Sequence, residues 1–227
     1  LDFIGKVKPN KKEGLSMTAP LLKELIVAPH ELDYVYLTSI FQNQASPQGK
    51  IKYLIKRGDI VRVKKGLYVL SRDYGKPFSK FVLSNMIYGP SYVTAESALS
   101  YYGLIPERVE AVTAVCIQKK KTFETPVGTF IYYFSALRHY PFGLRREMVD
   151  DKRAFLIASP EKALYDLLRY RKGVTEKDSI IETIEHLRLS EDSLHCLNRQ
   201  GLEELKRKGS RRKIAEAISE YITLRRT

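Results

Sequence analysis

Seven cationic side chains, Lys50, Lys52, Lys56, Arg57, Arg62, Lys64 and Lys65, fall within sixteen residues that hold one acid, Asp59, an excess of +6. Ammonium and guanidinium groups at this density make and break no bonds by themselves. They attract polyanions, and a row of phosphates is the polyanion that suits them. Ser46, Gln48 and Tyr53 lie among them, side chains that can reach base edges. The chemistry suggested is therefore recognition, in which Ser46, Gln48, Lys50, Tyr53 and Lys56 would contact bases or the groove. Lys52, Arg57, Arg62, Lys64 and Lys65 would contact phosphates.

Such side chains need rigid elements beneath them, and the flanking sequence supplies the signals. Ser46 is a good N-cap, and Pro47 then falls at the first helical position, where its missing N–H costs nothing. Ile51, Leu54 and Ile55 form one apolar stripe, while Ser46, Gly49, Tyr53 and Lys56 take the opposite side. Gly49 would let the helix lie close to a groove. Gly58 is a left-handed stop. Ile60–Val63 and Leu67–Leu70 read as strands joined by Lys64-Lys65-Gly66, where Gly66 gives the positive φ of a tight hairpin. Helix, stop and basic hairpin in this order predict the second half of a winged helix-turn-helix.

Upstream, Pro20–Ala28 and Leu32–Phe41 read as helices, and residues 42–45 as a turn. Residues 18–72 therefore make one module, preceded by residues 1–17, a polar leader without periodicity that reads as a flexible arm or cloning remnant. Residues 71–77 form a polar linker, and residues 77–227 a second domain with an α+β core over 77–172 and a helical tail over 173–227. In that core, Phe78–Tyr88 reads as a helix ended by Gly89-Pro90, and Thr94 as the N-cap of a helix over Ala95–Tyr102. Val109–Ile117, Lys121–Thr125, Thr129–Phe134, Arg145–Val149 and Ala154–Ile157 read as strands. Their short connections predict antiparallel pairing. Ser159-Pro160-Glu161 opens a helix stopped by Gly173. The tail reads as helices after Thr175 and over 190–200, 202–208 and 210–224, separated by Gly201 and Gly209. The expected fold is α+β, an N-terminal winged helix-turn-helix followed by a mixed α/β domain with a helical C-terminal tail.

Three runs, YLIKRGDIVRVKKGLYVL (Tyr53–Leu70), PSYVTAESALSYYGLIPE (Pro90–Glu107) and ASPEKALYDLL (Ala158–Leu168), occur in an order that resembles the AbiEi-type antitoxins. These belong to the AbiE abortive-infection, type IV toxin–antitoxin systems that defend bacteria against phage. The resemblance covers roughly residues 20–170. It implies a winged helix that binds inverted repeats in operator double-stranded DNA and represses its own operon. It also implies a C-terminal domain that neutralises a nucleotidyltransferase-fold toxin without a stable complex between the two. A dimer on half-sites one helical turn apart is the geometric expectation for this motif class.

Composition agrees with an anionic partner. Net charge is +13 and the pI is near 9.6, and residues 1–76 carry 14 basic against 7 acidic side chains, more than half of the excess. No apolar run approaches a membrane span, and Cys116 and Cys196 are isolated, so buried reduced thiols and a cytoplasmic protein are expected. No G-x-x-x-x-G-K-[ST], G-x-S-x-G or H-E-x-x-H occurs, and the four histidines are scattered. Hence no catalytic residue, metal site or cofactor is expected, and the protein reads as a non-enzyme.

Tyr88, Tyr92, Tyr101, Tyr102, Tyr132, Tyr133 and Tyr140 crowd the second domain and read first as half-buried sheet residues. Lys119, Lys120, Lys121, Arg138, Arg145 and Arg146 are a candidate antitoxin surface. The basic clusters at 206–208 and 211–213 read as charge that keeps the tail helices solvated. The same residues admit two other functions. One is a winged-helix repressor with a ligand-sensing C-terminal domain, and the other an RNA-binding module built on the tyrosine-rich sheet.

Overall fold

The computed structural model describes residues 30–71, 73, 77–107 and 109–225. The leader at 1–17 and the helix expected at Pro20–Ala28 lie outside them, as does most of the linker. The fold is mixed α+β.

The first described element is a strand, β1 (Glu31–Asp33), followed by helix α1 (Tyr34–Ile40). The expectation of one helix from Leu32 is corrected here. Leu32 pairs with Tyr68 in a sheet, and Asp33 caps α1 by accepting the Tyr36 N–H at 2.6 Å. A short polar turn leads to α2 (Pro47–Arg57), then to the hairpin β2 (Ile60–Lys64) and β3 (Leu67–Leu70). The three strands pair antiparallel in the order β1-β3-β2. Leu32, Leu37, Phe41, Ile51, Leu54, Ile60, Tyr68 and Leu70 form a small core of their own.

The larger part is built on a six-stranded sheet. Helix α3 (Lys80–Ile87) leads to β4 (Ser91–Val93), α4 (Ala95–Tyr101) and β5 (Val112–Cys116). Then come β6 (Lys121–Thr125), β7 (Gly128–Phe134), β8 (Leu144–Met148), β9 (Ala154–Ala158) and α5 (Pro160–Tyr170). The spatial order is β6-β7-β5-β4-β9-β8.

The all-antiparallel expectation is wrong at two places, because β5 runs parallel to β7 and β4 parallel to β9. In each half the outer strand, β6 or β8, is paired antiparallel to an inner one. From β5 the chain returns through edge strand β6, so the crossover that a parallel pair needs is itself a strand.

Helices cover both faces. The Ser91 and Tyr132 hydroxyls donate to the Ser84 carbonyl of α3 at 3.4 and 2.7 Å. Tyr92, the next residue along β4, points the other way and donates to Asp166 of α5 at 3.0 Å, as strand alternation requires.

The tail comprises α6 (Lys177–His186), α7 (Glu191–His195), α8 (Arg199–Lys208) and α9 (Arg212–Arg225). It is part of the same core, since Ile180, Ile184, Leu202 and Ile218 join Val93, Val115, Phe130 and Leu164. The helix expected over 190–200 is instead two pieces, because Asn198 restarts the chain by accepting the Gln200 N–H at 2.7 Å. Gly201 is not a separator but lies inside α8. A Cβ there would sit 3.3 Å from Glu161 Oε2, so its glycine lets α8 approach α5 closely. Cys116 is buried, whereas Cys196 is exposed, against expectation. Among the described residues, no helix is long and apolar enough to cross a membrane.

The two parts are joined by more than the linker. Val63, Leu67 and Val69 of the hairpin belong to the larger core. Glu31 is 1% exposed and holds Arg153 at 3.0 Å, and the same carboxylate accepts the Ser79 N–H.

Candidate nucleic-acid interface

Helix α2 forms as its sequence demands. Ser46 Oγ accepts the Gly49 N–H at 3.1 Å, Pro47 opens the first turn, and Gly58 ends it at φ 83°. Ile51 and Leu54 are buried, which turns Gln48, Lys52 and Lys56 outward at i, i+4 and i+8, all exposed. Gly49 has a local reason besides any groove, since a Cβ there would meet Ser46 Oγ at 2.9 Å and crowd the cap.

The other expected contacts are used differently. The Ser46 hydroxyl is engaged in the cap. Tyr53 is half-buried between Lys50, 5.2 Å from its ring centroid, and Arg57 at 5.5 Å. Arg57 also pairs with Asp59, its Nε 2.7 Å from Oδ2 and its Nη2 donating to Oδ1 at 3.0 Å, so its charge is largely answered within the chain. Arg62 and Lys65 are exposed on the hairpin.

Lys64 departs from the expected role of phosphate contact. The ladder shifts register between Arg62 and Lys64, and a bulge of this kind re-aims a side chain. The Lys64 ammonium donates to the carbonyl of Ile87 at the end of α3. That is the negative end of the helix, where a cation is favoured. Burial first, and then the nearby Lys121 charge, lower the Lys64 pKa. Lys64 therefore ties the hairpin to the larger domain and does not face outward with Lys65.

The six residues expected to share one antitoxin surface are not brought together. Lys119, Lys120 and Lys121 lie at the start of β6, while Arg145 and Arg146 lie on β8. Those strands are opposite edges of the sheet with four strands between them, or roughly 24 Å at ~4.8 Å per strand. Arg138 is elsewhere again, in a short 3₁₀ turn where its Nε donates to His139 at 3.0 Å.

The tyrosines are chiefly structural. Tyr92 and Tyr132 are fully buried and Tyr140 nearly so, while Tyr133 stacks on Tyr170 at 4.5 Å and 16°.

Sequence reasoning missed a buried polar cluster that joins two of the three motifs. Lys162 and Asp166 on α5 pair at 2.7 Å with 2% and 0% exposure. The second oxygen of Asp166 accepts from the Tyr92 and Thr94 hydroxyls at 3.0 and 2.9 Å. Thr94 thus makes no cap bond to α4; its hydroxyl is turned into the core. Burial, and then the Asp166 charge, push the Tyr92 phenol well above its ordinary pKa. Every oxygen of this carboxylate is satisfied from inside the fold, so the cluster is a strut between sheet and helix. A Lys and an Asp at i, i+4 read on sequence as a surface pair, and no local signal marks them as buried.

No family model matches the chain, and no curated protein matches it. Among solved structures, the crystal structure of the RV2827C protein from Mycobacterium tuberculosis is similar, with a TM-score of 0.57 at 13% identity over 90% of this chain and 75% of that one. At that identity the similarity concerns architecture alone: the chain shares the fold of the RV2827C protein.

Proposed function

We propose that this protein binds duplex DNA through an N-terminal winged helix-turn-helix, represses its own operon, and acts as the antitoxin of an AbiE-like type IV system. The observation that carries the DNA-binding part is the state of its cations. Lys52, Lys56, Arg62 and Lys65 are exposed on α2 and the hairpin, and none has a carboxylate within 4.0 Å among the described residues. Like charges held together on rigid elements repel one another, and a phosphate backbone relieves that repulsion. Gln48 on the same face supplies a donor and an acceptor for base edges. The antitoxin part is supported by the three motifs that resemble the AbiEi family, and it needs no enzymatic residue.

The test has two arms. The full chain is titrated with duplex DNA from immediately upstream of its gene and with random duplex, at several salt concentrations, and preference for the upstream DNA is expected. It is then co-expressed with the product of the adjacent gene, and rescue from that product's toxicity is expected. Binding without rescue would leave a repressor whose C-terminal domain senses a ligand. Equal affinity for both duplexes would sink the operator reading.

A further inference from the structure

We infer that Lys119, Lys120 and Lys121 extend the DNA surface beyond the hairpin, so that the larger domain grips backbone phosphates flanking the site read by α2. This inference rests on the duplex-DNA reading above. It assigns a second part of the molecule to the same ligand.

A continuous run of contacts connects the two basic segments. Lys64, beside the exposed Lys65, donates to the Ile87 carbonyl. The next residue, Tyr88, has its ring 5.9 Å from the Lys121 ammonium. One residue further, the Gly89 carbonyl accepts from Gln118 Nε2 at 2.6 Å. The hairpin tip, the end of α3 and the β5–β6 connection are therefore neighbours, and Lys65 and Lys119–Lys121 rise from one ridge. All four are exposed. None has a carboxylate within 4.0 Å among the described residues.

The ridge is braced from below. Tyr132 packs edge to face with Tyr88 and Phe123, which are tilted against each other, all with centroids 5.4–5.7 Å apart, and Lys121 lies over Phe123 at 4.7 Å. Lys120 lies over Tyr133 at 4.9 Å. These aromatic contacts fix where the lysine stems leave the surface. Because Lys64 also anchors the hairpin, the spacing between the two lysine groups is set by the fold and not by a loose loop.

The same rings argue against a single-stranded ligand. Stacking of unpaired bases needs free aromatic faces. Tyr132 is fully buried, and Tyr133 already has Tyr170 on one face and Lys120 near its ring. What remains for a ligand is a row of ammonium groups, which recognises phosphates without reading bases.

The test uses the full chain, the duplex from immediately upstream of its gene, and a variant carrying Lys119→Ala, Lys120→Ala and Lys121→Ala. Each lost phosphate contact lowers the slope of log affinity against log salt by about 0.9, so the slope should fall by about two to three, and affinity by roughly ten- to a hundredfold at ordinary salt. Hydroxyl-radical footprints should lose protection only at the outer edge. The preference for upstream over random duplex should stay as it was. Lys119→Gln with Lys120→Gln leaves the Lys121 packing intact and should give a smaller loss of the same kind. An unchanged slope and footprint in both variants would overturn the inference. If Lys52→Ala with Lys56→Ala still weakened binding, the DNA reading itself would survive. Absence of duplex binding by the unaltered chain would remove both, and tighter binding to single-stranded RNA that the triple variant loses would reassign the ridge to RNA.

Discussion

The N-terminal helix–hairpin and the C-terminal helical tail are both rich in Lys and Arg, yet they differ in how far those charges are paired. Among the described residues a carboxylate lies within 4.0 Å of one cation in seven on the helix–hairpin and of six in twelve in the tail, where Arg171, Lys172, Arg188, Arg199, Arg207 and Arg211 have none. In the tail, Lys177, Lys206, Lys208, Arg212, Lys213 and Arg225 each have a carboxylate within 2.6–3.7 Å. On α2 and the hairpin, Lys52, Lys56, Arg62 and Lys65 have none among the described residues. Residues 171–227 hold 13 basic and 10 acidic side chains, so the tail's acids are near at hand, often one helical turn away, as in Lys208–Glu204 and Arg212–Glu216. The stretch from Lys50 to Lys65 has only Asp59, and Arg57 occupies it. A count of basic residues locates charge; pairing decides which charge is left for a partner. A third state is the interior, where Lys162 and Arg153 hold buried carboxylates and serve the fold.

These three states predict three kinds of response. The largest belongs to the interior. Asp166→Ala strips the partner from Lys162 and should cost about 3–5 kcal/mol, read as a lower denaturant midpoint, because a buried charge is left alone. The apolar double Lys162→Met with Asp166→Leu should recover much of the loss. Next, Glu31→Ala removes the acid that links Arg153 and the Ser79 N–H across the two parts, at a cost of about 3 kcal/mol. If either loss were no larger than that of a surface pair, the distinction between buried and exposed cations would fail.

On the face proposed to meet DNA, Lys52→Ala with Lys56→Ala should leave the melting temperature unchanged and lower the salt slope of duplex binding by about two. Beneath that face, Gly49→Ala should change stability by less than about 1 kcal/mol, because the helix preference of Ala offsets the crowding of the Ser46 cap. The smallest effect is expected in the tail. Arg212→Ala breaks an exposed pair worth less than about 1 kcal/mol and should leave duplex affinity and its salt slope unchanged. A drop in affinity there would show that pairing is a poor guide to which cations meet DNA.

Much of the local architecture was legible. Ser46, Pro47, Ile51, Leu54 and Gly58 specify α2 because a cap, a first-turn proline, an apolar stripe and a left-handed stop all act within a few residues. Ser159-Pro160-Glu161 opens α5 for the same reason, with Ser159 Oγ accepting the Lys162 N–H at 3.4 Å. β1 escapes a local reading because Leu32 suits a strand as well as a helix, and its partner β3 lies more than thirty residues away. Gly201 escapes it too, because its glycine answers to Glu161 on another helix. Within the candidate site, the outward set Gln48, Lys52 and Lys56 follows from helical period alone. The inward turn of Lys64 follows from a bulge and from the end of α3, which the hairpin sequence does not contain.

By itself, the sequence determined most of the elements and where cations outnumber nearby acids, since caps, stops, periodicity and composition are local properties of the chain. Only the tertiary structure decided which strands run parallel, that Lys162 and Asp166 are interior, and that Arg145 and Lys120 stand at opposite edges of one sheet. It also brought Lys64 beside Lys121 and so joined two basic segments more than fifty residues apart. Those outcomes depend on long-range packing, in which a side chain's role is set by neighbours that no local window of sequence includes.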